Sequence, residues 1–421
     1  MPNMIKLENF RSYTKLPRSV YILFLAGIIN SAGNFVYPFL ALFLTLKLGY
    51  NENSAGLVLT IVIAAEGLGR LVGGKLADWL GRKIIIIILS LLGSVCYLII
   101  AFLGISPFVV YLIALAGFLK TGAMPAINAL VIDVTTKKNR NDAFSLIYLG
   151  HNLGFAVGPL VAGFLFVNHL MLIFVVDAIT TILALIPIMI LIKEPSKSIE
   201  GFTLIGDQVV EESERSEEGN TVRVFFKKPV LVGYAFISII LSFVYAQSTF
   251  GLPLYLNQIF NQNGPKIFGS LMTVNAIIVI TLTLILILIF KKFNPLLNIS
   301  IAGILFAVGF GLLFYSKLYY LFIISTVIWT FGEIINSVSS NVFIANYSPA
   351  NHRGRFNAII FFISGVGFAI SPWLMGLYIR YFGLASTWPF IFALSIFASI
   401  LILLLLFYEK LKNSKIGKQK L

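Results

Sequence analysis

The chain has 421 residues, of which 58% are hydrophobic and 11% charged, with a formal net charge of +14 and a mean hydropathy of +0.95. No soluble core uses that much apolar surface, so the composition predicts an all-α polytopic membrane protein, and the positive charge calls for no nucleic-acid partner. The single cysteine, Cys96, lies in an apolar run, which excludes a disulfide frame; no spacing of metal ligands appears anywhere.

In chain order, apolar segments run at about 20–46, 54–77, 84–104, 107–134, 143–166 and 169–192, then at 229–257, 266–290, 295–315, 319–346, 356–380 and 384–408. Each is about long enough to cross a bilayer as a helix, giving twelve transmembrane spans. The first, starting near Val20, is too long for a signal-peptide apolar region. With the N-terminus in the cytoplasm, the inner loops collect most cations, while the outer loops hold only Lys47, Lys266, Lys317 and Arg380. The positive-inside rule therefore puts both termini in the cytoplasm. Richness in Ile, Lys and Asn points to a bacterial source, so the membrane is the cell's inner (plasma) membrane.

These segments divide the chain into an N-terminal tail (1–19), a first half (20–192), a cytoplasmic linker (193–228), a second half (229–408) and a basic tail (409–421). The linker carries Glu211, Glu212, Glu214, Glu217 and Glu218 and few apolar residues, which reads as a solvated, loosely helical connection. The halves repeat at a constant offset of 213 residues. Arg140, Gly154, Pro159 and Gly163 are matched by Arg353, Gly367, Pro372 and Gly376, and Asn34, Gly56 and Asn128 by Gln247, Gly269 and Asn341. One shift across four helices indicates duplication, and so two pseudo-symmetric six-helix halves.

Between spans 2 and 3 lies a short charged turn, Gly73 to Lys83. Its order Gly74, Asp78, Gly81, Arg82, Lys83 resembles the helix 2–3 loop of the major facilitator superfamily, with Trp79 where the family usually has a basic residue. The second half keeps no such echo, since Lys291 stands opposite Asp78 and Ile287 opposite Gly74. The resemblance implies that fold and alternating access. It also implies a conformational latch in which Asp78, with Asp133 close by, meets the start of span 11 near Arg353. In span 5, Gly150, Gly154, Gly158, Pro159 and Gly163 put small residues on one face with a proline among them. This is similar to the family's fifth-helix motif, associated with export coupled to proton entry.

Ionisable groups inside spans are costly and usually face water or pair. Glu66 and Arg70 are four apart on span 2 and can pair. Glu333 lies deep in span 10, and Lys120 is its counterpart in span 4. Two readings of Glu333 stand: a proton carrier, or a partner fixed by Lys120. Glu66 is a second candidate proton site and His151 a candidate relay, with helix packing the duller role for His151; Asp177 reads as a structural hydrogen-bonding acid. The resemblance implies that spans 1, 4, 7 and 10 line the substrate cavity. With polar neighbours added, the candidate lining residues are Asn30, Asn34, Lys120, Asn152, Gln247, Trp329 and Asn336.

The runs around Glu333 and Asn128–Asp133 look like those of proton-driven multidrug exporters, although Ile147 and Phe118 replace an acid and an arginine common there. The expected function is proton-coupled efflux of amphipathic or cationic small molecules by a monomer in the lipid bilayer. Its energy comes from the proton gradient, with no cofactor. The alternative is a symporter or facilitator for a small polar or anionic solute; a membrane enzyme or a non-transporting receptor is the remote one.

Overall fold

The computed structural model describes residues 14–136, 139–194, 221–348 and 353–419. Among these, every regular element is helical, as a bilayer demands, because lipid offers no partner to an open backbone. Span 1 is a broken helix, Arg18–Ala32 and then Val36–Leu42, continued by a π-helical turn at Phe43–Lys47. Spans 2, 3 and 4 are Glu52–Leu80, Arg82–Leu103 and Val109–Val134. Span 5 is also broken, into Arg140–Phe155 and Gly158–Asn168, and span 6 is Leu170–Leu191.

Span 7 runs from Pro229–Tyr245 through a tight turn at Ala246–Ser248 into Gly251–Phe260. Spans 8 to 12 are Gly264–Phe290, Pro295–Leu312, Tyr319–Tyr347, Arg353–Phe382 and Thr387–Gln419. Eleven apolar stretches among the described residues are long enough to cross a membrane, and one of them, Pro229–Phe290, has 62 residues. Drawn straight it would reach roughly 90 Å, about three times the hydrocarbon thickness. It turns back at Asn261–Asn263, where Asn261 takes a φ of 52°. That stretch is therefore two crossings, and the total is twelve.

The chain folds as two compact units. The first unit holds spans 1–6 together with Leu256–Ile280, the end of span 7 and the first part of span 8. Phe268 meets the ring of Phe39 edge-on at 5.3 Å. Thr273 donates to the carbonyl of Ala156 (2.7 Å), at the point where span 5 breaks. The second unit holds the rest of spans 7 and 8 and spans 9–12. There Trp329 and Trp388 both stack on the ring of Phe310, at 5.7 and 6.4 Å.

The linker lies between the end of span 6 at Leu191 and the start of span 7 at Pro229. The glutamates from Glu211 to Glu218 lie outside the described residues, but both ends of the linker are held. Glu194 binds the start of span 3, and a short helix, Thr221–Phe226, buries Phe225 against Phe356 at 5.3 Å. The last helix runs on through residue 409, so the basic tail begins as a continuation of span 12.

Within the first unit, span 2 lies on span 4 with almost nothing between the backbones. A Cβ on Gly69 would come within 2.1 Å of the Phe118 carbonyl oxygen, and one on Gly73 within 1.9 Å of that of Gly122. Small residues let membrane helices approach this closely, and the gain is dispersion contact summed along the seam. Replacing Gly73 by Val should therefore destabilise the fold by about 3 kcal/mol or more through overpacking. Gly74→Ala, whose new methyl would meet only Pro125 Cβ at 3.6 Å, should stay within about 0.5 kcal/mol of wild type. Thermal unfolding in detergent, followed by a dye that reacts with buried Cys96 as it becomes exposed, separates the two.

Candidate functional site

The break in span 1 organises the polar interior of the first unit. After Ala32 the helix unwinds for three residues, leaving the amides of Phe35 and Val36 at the start of the next helical piece. Asp177 of span 6 takes both: its Oδ2 accepts from Phe35 N at 3.2 Å and from Val36 N at 3.3 Å. Its Oδ1 pairs with the Lys120 ammonium of span 4. Lys120 Nζ also sits 4.7 Å from the centroid of the Tyr97 ring on span 3. The Asp177 side chain is only 2% exposed, so its charge is tolerated because a cation and two amides surround it. One turn along, Thr181 donates to Asn30 Oδ1 at 3.0 Å, tying span 6 to span 1 again.

Other sequence-predicted residues gather near this cluster. Glu66 is half-buried and its side chain packs against Gly117 of span 4. Tyr97 lies within electrostatic reach of both Asp177 and Glu66. His151 of span 5 shares a 2.9 Å hydrogen bond between Nδ1 and Ser31 Oγ, with its ring against Gly27. Asn34 is half-buried in the break itself. Asn152 instead donates to the Tyr148 carbonyl of its own helix. The expected Glu66–Arg70 pair is not made. Arg70 is exposed, and the ion pairs of the first unit include Lys120–Asp177, Arg82–Asp78 and Arg82–Asp133.

The span 5 motif is an interlock of backbones. Cβ atoms on Gly150, Gly154 and Gly158 would strike the backbone of span 1 at Phe24, Ile28 and Ser31, and one on Gly163 would strike Pro265. Pro159 stands at the first turn after the break, where no amide is needed. Its counterpart Pro372 lies within an unbroken span 11.

In the second unit, the Tyr245 hydroxyl donates to Glu333 Oε1 at 2.8 Å. Asn336, a turn beyond Glu333, is half-buried with Ser340 Oγ 3.5 Å from its Oδ1. Gln247 and Trp329 depart from the cavity-lining role expected of them. Gln247 has no exposed surface and donates to Ser371 Oγ at 2.7 Å, which donates in turn to the Phe243 carbonyl. Trp329 is 1% exposed within its aromatic stack. Both hold helices together because the neighbouring glycines and serines let those helices close over them.

The loop between spans 2 and 3 is built around Gly81, whose φ of 106° suits only glycine. There the chain reverses and exposes the first amides of span 3. Glu194 caps them, accepting from Arg82 N at 2.6 Å and Lys83 N at 2.9 Å. A side chain on Gly81 would collide with that carboxylate. Lys83 Nζ donates to the Met189 carbonyl at 2.7 Å. So fixed, Arg82 reaches Asp133 at 3.0 Å and Asp78 at 3.6 Å. Asp78 is 75% exposed, and the side chain of Arg353 lies outside the described residues. Gly74 faces Pro125 of span 4. Glu194 escaped the sequence reading: it merely follows the last apolar residue of span 6, and nothing local ties it to a loop more than a hundred residues earlier.

Twelve apolar crossings with a charged pair, Lys120–Asp177, held inside them make this an integral membrane protein. The Major Facilitator Superfamily matches this chain over residues 23–364 and 299–420, and the chain belongs to that family; it is a multi-pass transporter and not an enzyme. It is 26% identical over 355 residues to the "Uncharacterized MFS-type transporter YqjV" of Bacillus subtilis, covering 82% of each chain. It is 23% identical over 378 residues to a "Na(+), Li(+), K(+)/H(+) antiporter" of Planococcus maritimus, covering 82% of this chain and 85% of that one. The "Quinolone resistance protein NorA" of Staphylococcus aureus is 32% identical over 178 residues, 42% of this chain and 45% of the other. In fold the chain is similar to a solved POT family transporter, with a TM-score of 0.75 at 14% identity over 93% of this chain and 98% of that one.

Two variants test the site's physics. Asp177→Asn leaves Lys120 buried without its counter-charge and should cost about 3–5 kcal/mol, most of it recovered when Lys120→Met is added; thermal unfolding of the single and double variants measures both. Glu194→Ala removes a cap and should cost about 1 kcal/mol, read by the same assay, with Glu194→Gln in between because its amide oxygen still accepts.

Proposed function

We propose that the protein is a proton-coupled exporter of cationic small molecules, with Glu333 carrying the proton. The observation behind this reading is the setting of the Glu333 carboxyl: inside an apolar span, against the hydroxyl of Tyr245. A hydroxyl partners a carboxyl in either protonation state, donating to the charged form and accepting from the neutral one. Such a group can hold a proton or face a cation, but not both at once, and that exclusion is the basis of exchange. Lys120 is already engaged by Asp177 within its own unit, which favours the carrier role for Glu333 over a fixed pair with Lys120. Glu66, half-buried on span 2, is the second carrier in this scheme, and His151 keeps a packing role through Ser31.

The cycle is one of alternating access. A proton bound from outside favours one state and a cation bound from inside the other, each by its differential affinity for the two. Asn30, Asn34 and Asn152 in the first unit and Asn336 in the second are the candidate substrate contacts, and the Asp78–Arg82–Asp133 cluster biases the equilibrium at the cytoplasmic face. Both termini lie in the cytoplasm, in the plasma membrane of a bacterium. The activities for which two relatives are named, exchange of monovalent metal ions for protons and quinolone resistance, frame the substrate range.

The test is proton movement in proteoliposomes on adding lipophilic cations, with Na+, Li+ and K+ as a second panel and small anions as a third. Wild type should move protons against an organic cation, and Glu333→Gln should abolish coupled flux while leaving the protein folded. A response only to alkali ions would replace the substrate class but keep the antiport. A response only to anions, co-directional with protons, would overturn the proposal in favour of symport.

A further inference from the structure

The two halves differ at one internal seam. In the first, Gly69 and Gly73 let span 2 lie against span 4 at Phe118 and Gly122. At the 213-residue offset, span 8 has Leu282 and Leu286, and span 10 has Phe331 and Ile335. Leu286 and Ile335 thus stand where the first half has a glycine–glycine contact, with two branched side chains in place of none. Beside these side chains a crevice of about 260 Å³ opens between the ends of spans 8, 9 and 10, walled by Leu286, Phe290, Phe293, Ile335, Val338 and Val342.

The crevice has a polar mouth. Lys291 lines it, Lys292 is exposed beside it, and no carboxylate is among the lining residues. Asn298, in the wall on span 9, is 4% exposed. Its amide nitrogen donates to the Phe290 carbonyl at 2.9 Å, while its Oδ1 has no partner. A buried acceptor left open is costly, and the side chain is held in that orientation by the bond it does make. The volume falls below the roughly 300–1,000 Å³ of sites for drug-sized ligands, and suits a narrow, flexible chain.

We propose that this crevice binds one acyl chain of an anionic phospholipid with hydroxyls in its headgroup, of the phosphatidylglycerol type. The chain fills the space between Leu286 and Ile335, the phosphate meets Lys291 and Lys292, and a headgroup hydroxyl donates to Asn298 Oδ1. Basic residues at the mouth of an interhelical crevice recognise such headgroups. The lipid then serves the second half as the glycine seam serves the first, joining spans 8 and 10 at the level of the loop between spans 8 and 9.

The full-length protein, delipidated in neutral detergent, is titrated with phosphatidylglycerol, with phosphatidylcholine of the same chains and with inorganic phosphate. Thermal midpoint and retained lipid by native mass spectrometry are the readouts. Phosphatidylglycerol should stay bound and raise the midpoint, and Lys291→Gln with Lys292→Gln should weaken its retention roughly thirtyfold, the strength of two surface cations on an anionic lipid. Val338→Phe, which fills the crevice, should lose the lipid while keeping a midpoint at least that of the lipid-free wild type. If that variant does not fold, Val342→Phe at the half-exposed rim takes its place. Equal stabilisation by phosphatidylcholine, the same effect from inorganic phosphate alone, or undiminished lipid in a folded crevice-filling variant would each overturn the proposal.

Discussion

A carboxylate that cannot be left uncompensated governs the first half of this molecule. Asp177 sits in a span with almost no access to solvent, and a charge there must be met by opposite charge and by donors or not be there at all. The chain meets it by unwinding span 1 for three residues, which turns two amides toward it, and by bringing Lys120 across from span 4. Tyr97 then shields the cation's other side. Three spans are thereby fixed relative to one another by a single side chain, and the lysine ties in span 3. The break in span 1 is thus no weakness of propensity; it is the donor set of Asp177.

The second half solves its packing differently. It has aromatic stacks around Phe310 where the first half has an ion pair, and bulky residues where the first half has Gly69 and Gly73. Duplication preserved the broad pattern, since Gly367 lies against the Ile239 carbonyl much as Gly154 lies against that of Ile28. It did not preserve the seam between the second and fourth helices of each half. Loss of glycine at one position is enough to separate two backbones, because membrane helices have no hydrophobic drive to close the gap.

At the loop between spans 2 and 3, three layers act in series. Gly81 permits the reversal, Glu194 caps the amides that the reversal exposes, and the capped helix aims Arg82 at Asp133 and Asp78. Because Glu194 opens the connection between the halves, that connection and the loop's charge cluster share a mechanical anchor. A domain boundary drawn at the last apolar residue of span 6 cuts through this anchor.

The sequence by itself determined the twelve crossings, the duplication and the family, because bilayer thickness and the exclusion of charge act on each segment separately and leave a mark in composition and spacing. It also marked the glycines of spans 2 and 5, whose only physical use is close approach. What it could not decide was pairing. Lys120 stands at the same depth as Glu333 by repeat symmetry, yet its ammonium goes to Asp177, a choice made by helix rotation and by the amides released in span 1. Gln247 and Trp329 carry the residue types of a polar or aromatic lining, and only the packing of their neighbours turned them inward. Glu66 and Arg70 satisfy the spacing of an ion pair and do not form one. Spacing along one helix fixes which residues share a face; which groups then meet depends on several helices at once, and that is settled only in the tertiary structure.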